Sequence, residues 1–207
     1  SKASVWRIME DHGFNPDPII RRKGDWGRFI KSHFDVLAAT DFFSVELLTP
    51  RGLVRYMVLF VIDIKTRRVE IAGIQRWPDG AWMKQIARNW TDGEMGFLKG
   101  KRYLIHDRDS LFTKEFVSIL KAGGIKTVKT PRQSPNLNAY AERFVWTIKY
   151  ECLNHLILSN EAQLKYAIDE FMEHYHHERP HEGLGGKLIS PRPQATEGPI
   201  LKNERLG

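Results

Sequence analysis

A chain of 207 residues with 42% apolar content can build one sizeable core with small appendages, and nothing in its composition reads as disordered. Its 32 basic and 25 acidic residues leave a net charge of +7, which favours a polyanionic partner, nucleic acid first. A single cysteine, Cys152, excludes an internal disulfide framework and any zinc site built from several cysteines, and is read as a buried helix residue. No signal-peptide pattern and no apolar run of about 18 residues is present, so the expectation is a soluble intracellular protein. The chain opens on Ser1 rather than Met, so a preceding part is expected.

In chain order, Ser4 to Gly13 reads as a short helix with Ser4 as its cap and Gly13 as its stop. Asn15-Pro-Asp-Pro18 and Arg21-Arg-Lys-Gly24 then read as a linker. From Phe34 the pattern becomes β. Phe34 to Leu48, Val54 to Ile64 and Val69 to Gln75 are apolar or alternating runs, separated by Thr-Pro-Arg-Gly and Lys-Thr-Arg-Arg turns. A helix follows from about Gly80 to Trp90, then a strand Tyr103 to His106. A second helix runs from about Thr113 to Lys121, stopped by Gly123-Gly124, and a strand Ile125 to Lys129 comes next. Two longer helical patterns, about Asn138 to Leu156 and Glu161 to His176, precede a Pro/Gly-rich tail. Three successive strands followed by alternating helix and strand predict an α/β fold, a mixed sheet with helices on its faces.

Carboxylates interrupt this pattern at three places. Leu37, Ala39, Asp41 and Phe43 share one face of the first strand, so Asp41 breaks an apolar stripe and needs a partner or a metal. Asp107 sits at the C-terminal tip of the fourth strand, the edge where α/β sheets commonly place ligands. On the helix near Asn138, the residues Ala141, Phe144, Val145, Ile148 and Cys152 make the apolar face. Glu142, Trp146 and Lys149, spaced i, i+4, i+7, point away from it. Three carboxylates from two strands and a helix suit hard cations. In a two-metal site, ions about 3.5–4 Å apart stabilise the attacking and leaving oxygens of a phosphoryl displacement.

Three segments then carry a resemblance: Ala38-Ala-Thr-Asp41-Phe-Phe43, His106-Asp107-Arg-Asp-Ser-Leu-Phe112, and Ser134-Pro-Asn-Leu-Asn-Ala-Tyr-Ala-Glu142-Arg-Phe-Val-Trp-Thr-Ile-Lys149. Between Asp107 and Glu142 lie 34 residues. The ordered set resembles the catalytic core of the DDE superfamily of retroviral integrases and insertion-sequence transposases. His176-His-Glu-Arg-Pro-His-Glu-Gly-Leu184 is similar to a signature that follows that core in bacterial members.

The resemblance implies a ribonuclease H-like fold, a mixed five-stranded sheet in the order βββαβαβα flanked by helices. It implies Asp41, Asp107 and Glu142 as the catalytic, metal-binding acids, holding two magnesium or manganese ions. Arg132, Pro135 and Asn138, in and beside the loop before the catalytic helix, and Lys149, seven residues after Glu142, would contact DNA. Lys149 reads equally as a solvated helix lysine. Residues 1–28 would be a helix-turn-helix remnant and linker, 29–195 the catalytic core and 196–207 a tail. The implied enzyme is a polynucleotidyl transferase and DNA endonuclease, cutting 3′ ends and transferring strands. Its partners would be double-stranded DNA and further copies of itself, in the cytoplasm of a prokaryote at the nucleoid and away from membranes. Another ribonuclease H-like nuclease and an inactive DNA-binding descendant are the competing readings.

Two departures stand out. Asp109 takes a position where the family commonly has Gly, which predicts a turn with positive φ, and His106 precedes the second acid in place of Ser or Thr. His174, His176, His177 and His181 read as solvated or DNA-facing, and Trp77, Trp82, Trp90 and Trp146 as mostly core or helix-packing aromatics, with Trp146 alone sharing a face with Glu142, where DNA contact is the secondary reading.

Overall fold

The computed structural model describes residues 27–130 and 138–192. The expected helix at 4–13, the linker, Arg132, Pro135 and the tail from 196 lie outside the described residues. Residues 27–33 are helical and belong to a unit that ends at Phe34; a second unit begins at Asp35. That second unit holds the sheet.

Its strands are β1 (Leu37–Thr49), β2 (Gly52–Asp63), β3 (Val69–Gln75), β4 (Tyr103–His106) and β5 (Lys126–Lys129). Its helices are α1 (Gly80–Trp90), α2 (Lys114–Ala122), α3 (Ala139–Glu151) and α4 (Glu161–His177). The sheet order is β3-β2-β1-β4-β5; β1, β2 and β3 form an antiparallel meander, while β1/β4 and β4/β5 are parallel. The expected βββαβαβ order and mixed sheet are therefore what the chain forms.

Local chemistry sets most boundaries. Asp79 caps α1 by accepting the Trp82 N–H, Thr113 caps α2 through the Phe116 N–H, and Asn160 caps α4 through the Gln163 N–H. β1 starts at Leu37 rather than Phe34, because Phe34–Val36 form a 3-10 turn. α3 is shorter than its periodicity suggested. The backbone leaves helical geometry at Cys152 (φ −138°, ψ −73°), and a 3-10 turn at Leu153–His155 follows. The apolar pattern continues there because Cys152, Leu153 and Leu158 are all buried, but by a turning chain rather than by a longer helix.

Alternation along β2 divides the core. Leu59 and Val61 join Ala38, Leu104, Met83, Trp90, Phe116 and Leu120 in a cluster under α1 and α2. Phe60 faces the other way and meets Phe144 of α3 at a ring distance of 4.7 Å. Helices thus cover both faces. The sheet also bends locally: the β2–β3 register slips between Leu59 and Phe60, beside Gly73, and a Cβ on Gly73 would lie 2.8 Å from the Trp82 ring. Glycine there lets α1 settle on the sheet. Trp90 is buried and Trp82 packs against the cluster, but Trp77 is 78% exposed and Trp146 51%, so those two are surface aromatics and not core.

Candidate active site

The parallel register of β1 and β4 assembles the first two acids. Ala38 pairs with Leu104 and Ala39 with Ile105, so two residues further along each strand Asp41 and Asp107 arrive at the same level. β4 ends at His106, whereas β1 continues, held by β2 with Asp41 opposite Phe60. One carboxylate therefore projects from a rigid strand and the other from the first residue of the loop beyond its neighbour.

That loop is pinned by side chains. The Asp107 Oδ1 accepts the Asp109 N–H (2.9 Å), the Asp109 Oδ1 accepts the Leu111 N–H (2.7 Å), and the Arg108 Nε donates to the Thr130 carbonyl (3.0 Å). Asp109 does shape the turn, but not through a left-handed backbone: among the described residues Arg67 is the one non-glycine with positive φ. Successive carboxylate-to-backbone hydrogen bonds tighten a chain of ordinary φ instead.

Beneath the acids lies a layer of buried polar groups that the sequence reading passed over. The Thr40 hydroxyl donates to the Phe60 carbonyl (2.6 Å). His106 is fully buried, its ring 4.5 Å from that of Phe112 and its Nδ1 2.7 Å from the Asp107 carbonyl. Burial holds the His106 pKa down, so the ring is neutral and its Nδ1–H is the donor. The Asn138 Nδ2 donates to the Thr40 carbonyl (3.4 Å), tying the start of α3 to β1. Asn138 is thus buried beneath the site rather than displayed on its surface. His106 Nε2 and Asn138 Oδ1 are buried without a partner. Thr40 was findable: it sits next to Asp41 in a segment buried on both faces.

Asp41 carries the strongest electrostatic perturbation among the three acids. The Asp41 carboxyl is pushed up to about 6, first by burial, opposed by the Phe42 N–H it accepts, and then by the like charges of Asp107, Glu142 and Asp109. Glu142, exposed in the first turn of α3, is also raised, by partial desolvation. Asp41 and Glu142 line one cleft of about 430 Å³ with Trp146, Lys149, Tyr150 and Asn154. Lys149 leans over the Phe43 ring at 6.0 Å and forms no ion pair among the described residues. No three carboxylate, imidazole or thiol groups among the described residues are gathered tightly enough, as they stand, to hold an ion between them. A larger cavity of about 630 Å³ opens on another side of α3, lined by Arg67, Arg143 and Arg179, and contains none of the three acids.

The His-His-Glu-Arg-Pro-His segment buttresses this helix. The Arg179 Nε and Nη2 donate to the two Glu151 carboxylate oxygens (2.7 and 2.6 Å), clamping the C-terminal end of α3. Tyr175 stands edge-on to Phe144 (5.3 Å) and to His181 (4.6 Å). His181 is buried, and the His176 Nε2 accepts the Val69 N–H (3.1 Å). Those two histidines are therefore packing groups, contrary to the solvated reading; His174 and His177 sit beside Glu178 and Glu173 on the more exposed side.

Comparison with known proteins follows the same lines. Residues 123–188 match the family described as "Integrase core domain". A protein of Xanthomonas euvesicatoria described as "Insertion element IS476 uncharacterized 39.2 kDa protein" is 27% identical over 132 residues, 63% of this chain and 37% of its own length. The chain thus spans little more than a third of that relative. Among solved structures, the catalytic domain of Mos1 mariner transposase superposes with a TM-score of 0.57 at 13% identity, covering 73% of this chain and 79% of that one. The HTLV-2 integrase catalytic core domain, solved with magnesium in a dimeric form, gives 0.52 at 14% identity, covering 75% and 93%. A chain of the simian T-cell lymphotropic virus intasome gives 0.54 at 13% identity, covering 83% and 60%. By its five-stranded mixed sheet, flanking helices and these likenesses, the chain has the ribonuclease H-like fold of integrase and transposase catalytic cores, with an integrase core domain match over residues 123–188.

Proposed function

We propose that this chain is the catalytic core of a mobile-element transposase or integrase that cuts DNA at element ends and joins the freed 3′ ends to target DNA. The observation that carries the reading is the shared level of Asp41 and Asp107 on parallel strands, with Glu142 near enough to raise the Asp41 carboxyl. The donor set fits divalent ions by its chemistry. All three groups offer hard carboxylate oxygen, and the desolvated cluster of like charge around Asp41 is relieved by a cation. Asp41, Asp107 and Glu142 would hold magnesium or manganese, two ions in all. When bound, the ions stabilise charge on the phosphate and activate the attacking oxygen.

The chain's own residues do the positioning. β1 and the Asx-bonded loop fix Asp41 and Asp107, while Asn138 and the Arg179–Glu151 clamp hold α3 and so Glu142. Lys149, on the cleft wall, supplies positive charge to the DNA backbone. In cleavage, water adds to phosphorus and the bond to the 3′ oxygen breaks, releasing a 3′ hydroxyl. In joining, that hydroxyl attacks a target phosphate and displaces a second 3′ oxygen. The likeness to a dimeric integrase core and an intasome chain supports assembly as a homo-oligomer on DNA. The insertion-element relative supports a prokaryotic setting. Within the same proposal the chain works at the nucleoid, with residues 1–28 a remnant, 29–195 the core, whose sheet-bearing unit begins at Asp35, and 196–207 a tail. Cleavage and joining of labelled duplexes carrying the element ends test the reading. Asp41→Asn, Asp107→Asn and Glu142→Gln should each abolish product while DNA binding persists; a fully active single variant removes its residue from the site.

A further inference from the structure

The cleft that holds Asp41 and Glu142 has an aromatic wall that metal ligation does not require. Trp146 and Tyr150, one turn apart on α3, stack with ring centres 4.7 Å apart and planes 11° from parallel. An i, i+4 aromatic pair can pack for the helix's sake alone, but these two residues are 51% and 60% exposed. Both line the same cleft as the acids. Large stacked rings left open beside a charged site are costly to hydrate and call for an occupant.

The surroundings identify its chemistry. Lys149, between the two rings in sequence, lines the cleft without an ion pair among the described residues. The Arg143 guanidinium, which lines the larger cavity on another side of α3, lies 6.0 Å from the centre of the Trp146 ring and likewise forms no ion pair among the described residues. Cations interleaved with flat, open rings complement a ligand that is itself a flat ring on a phosphate chain. A second apolar protein surface would bury both cations without compensating them. The bases inside a paired duplex present only their edges, so ring-on-ring contact needs a base that has left its partner. The cleft volume of about 430 Å³ lies within the roughly 300–1,000 Å³ usual for small-ligand sites.

We propose that Trp146 and Tyr150 form a stacking platform for an unpaired nucleobase of the DNA strand whose phosphate lies against Asp41 and Glu142. The inference rests on the DNA-processing reading and deepens it: the preferred substrate is a frayed or single-stranded end rather than a fully paired one. Lys149 holds a flanking phosphate, and the rings hold the base.

The test is equilibrium binding of the chain to three labelled DNAs of one sequence: a fully paired end, an end with a short unpaired overhang, and the same overhang with abasic sugars. A 2-aminopurine in the overhang reports stacking directly. The wild-type chain should bind the overhang more tightly than the other two and quench the 2-aminopurine. Trp146→Ala should weaken overhang binding by about 5- to 150-fold, the range for loss of one base–aromatic stack, without changing binding to the abasic DNA. Trp146→Phe should restore most of both signals, which a misfolded variant would not allow. If the wild-type chain binds none of the three DNAs, the DNA-processing reading fails and the platform with it. If it binds DNA but Trp146→Ala weakens all three equally, or none, the platform alone is overturned. A change in the sedimentation of the free protein in Trp146→Ala/Tyr150→Ala, with overhang binding unchanged, also overturns it by assigning the rings to a second copy of the chain.

Discussion

Asp41 on β1 and Asp107, the first residue beyond the parallel strand β4, stand level, each two residues past Ala39–Ile105, the last rung of the β1–β4 ladder. Burial first, and then the like charges of Asp107, Glu142 and Asp109, push the Asp41 carboxyl up to about 6 from its ordinary 3.8, against the Phe42 N–H that it accepts. Between those values the folded chain keeps a proton that the unfolded chain has lost, so stability falls as pH rises through that window.

At pH 7.5, without divalent ions, the ionised Asp41 is therefore a destabilising group, by roughly 1–3 kcal/mol. Asp41→Asn should raise Tm over the wild type at pH 7.5 and hardly at pH 3.5, where Asp41 is mostly protonated in both the folded and the unfolded chain. Magnesium should raise the wild-type Tm at pH 7.5 and leave that of Asp41→Asn nearly unmoved. Thermal melts at the two pH values, with chelator and with magnesium, decide it; a pH-independent difference would show that Asp41 carries no such strain.

Asp109 is expected to act through the turn. Asp109→Asn keeps an oxygen for the Leu111 N–H and should lose no more than about tenfold in cleavage, the low end for groups that only orient a ligand. Asp107→Asn should lose nearly all of it. Single-turnover cleavage with both variants checks this, and equal inactivity in folded protein would make Asp109 a ligand.

The Arg179–Glu151 pair is bidentate and about three-quarters shielded, with side-chain exposures of 26% and 29%. Arg179→Ala should cost on the order of 1–3 kcal/mol, and Arg179→Lys, which has no fork, most of that. A double-mutant cycle with Glu151→Gln measures the coupling. Additive losses would mean that the arginine contributes packing only.

His176 should make the α4–β3 junction acid-sensitive. Its Nε2 accepts the Val69 N–H, which requires the neutral ring. Burial, then His177, Arg68 and His181, hold its pKa down to about 4 against the opposing pull of Glu173. Between 6.5 and 4 the unfolded chain takes up a proton that the folded chain refuses. The stability from this group is therefore complete above pH 6.5 and is lost as pH falls through the window. His176→Gln should flatten that part of the stability–pH curve in denaturant melts; an unchanged slope would assign the sensitivity elsewhere.

Gly73→Ala should displace the Trp82 indole, since the added Cβ would lie 2.8 Å from it, at a cost of about 1–3 kcal/mol. Pairing it with Trp82→Leu should recover part of the loss. No recovery would place the strain in the β3 backbone.

Much of this protein was determined by the chain read alone. Apolar runs bounded by turn residues give β3 and β4 their observed limits, helical spacing gives those of α1, and Thr113 caps α2 where the Asp107–Thr113 turn meets an apolar helix pattern. Asp41 was legible because a charge inside an apolar strand has few affordable places to go, and Glu142 because helical spacing turns it from the buried face. What only the tertiary structure decided are relationships between segments far apart in the chain. The level of Asp41 with Asp107 depends on the β1–β4 register, and registers are set by packing on both sheet faces, not by either strand. The burial of Asn138 and His181 and the half-burial of His176 are of the same kind, since polar side chains give no local sign of being enclosed. Each is held by a backbone group outside its own turn: Asn138 donates to the Thr40 carbonyl, His176 accepts the Val69 N–H, and the His181 ring meets the Tyr175 carbonyl. The open Trp146–Tyr150 stack is the converse case: helical spacing makes the two neighbours, and the packing of α3 on the sheet decides that they stay exposed on the cleft.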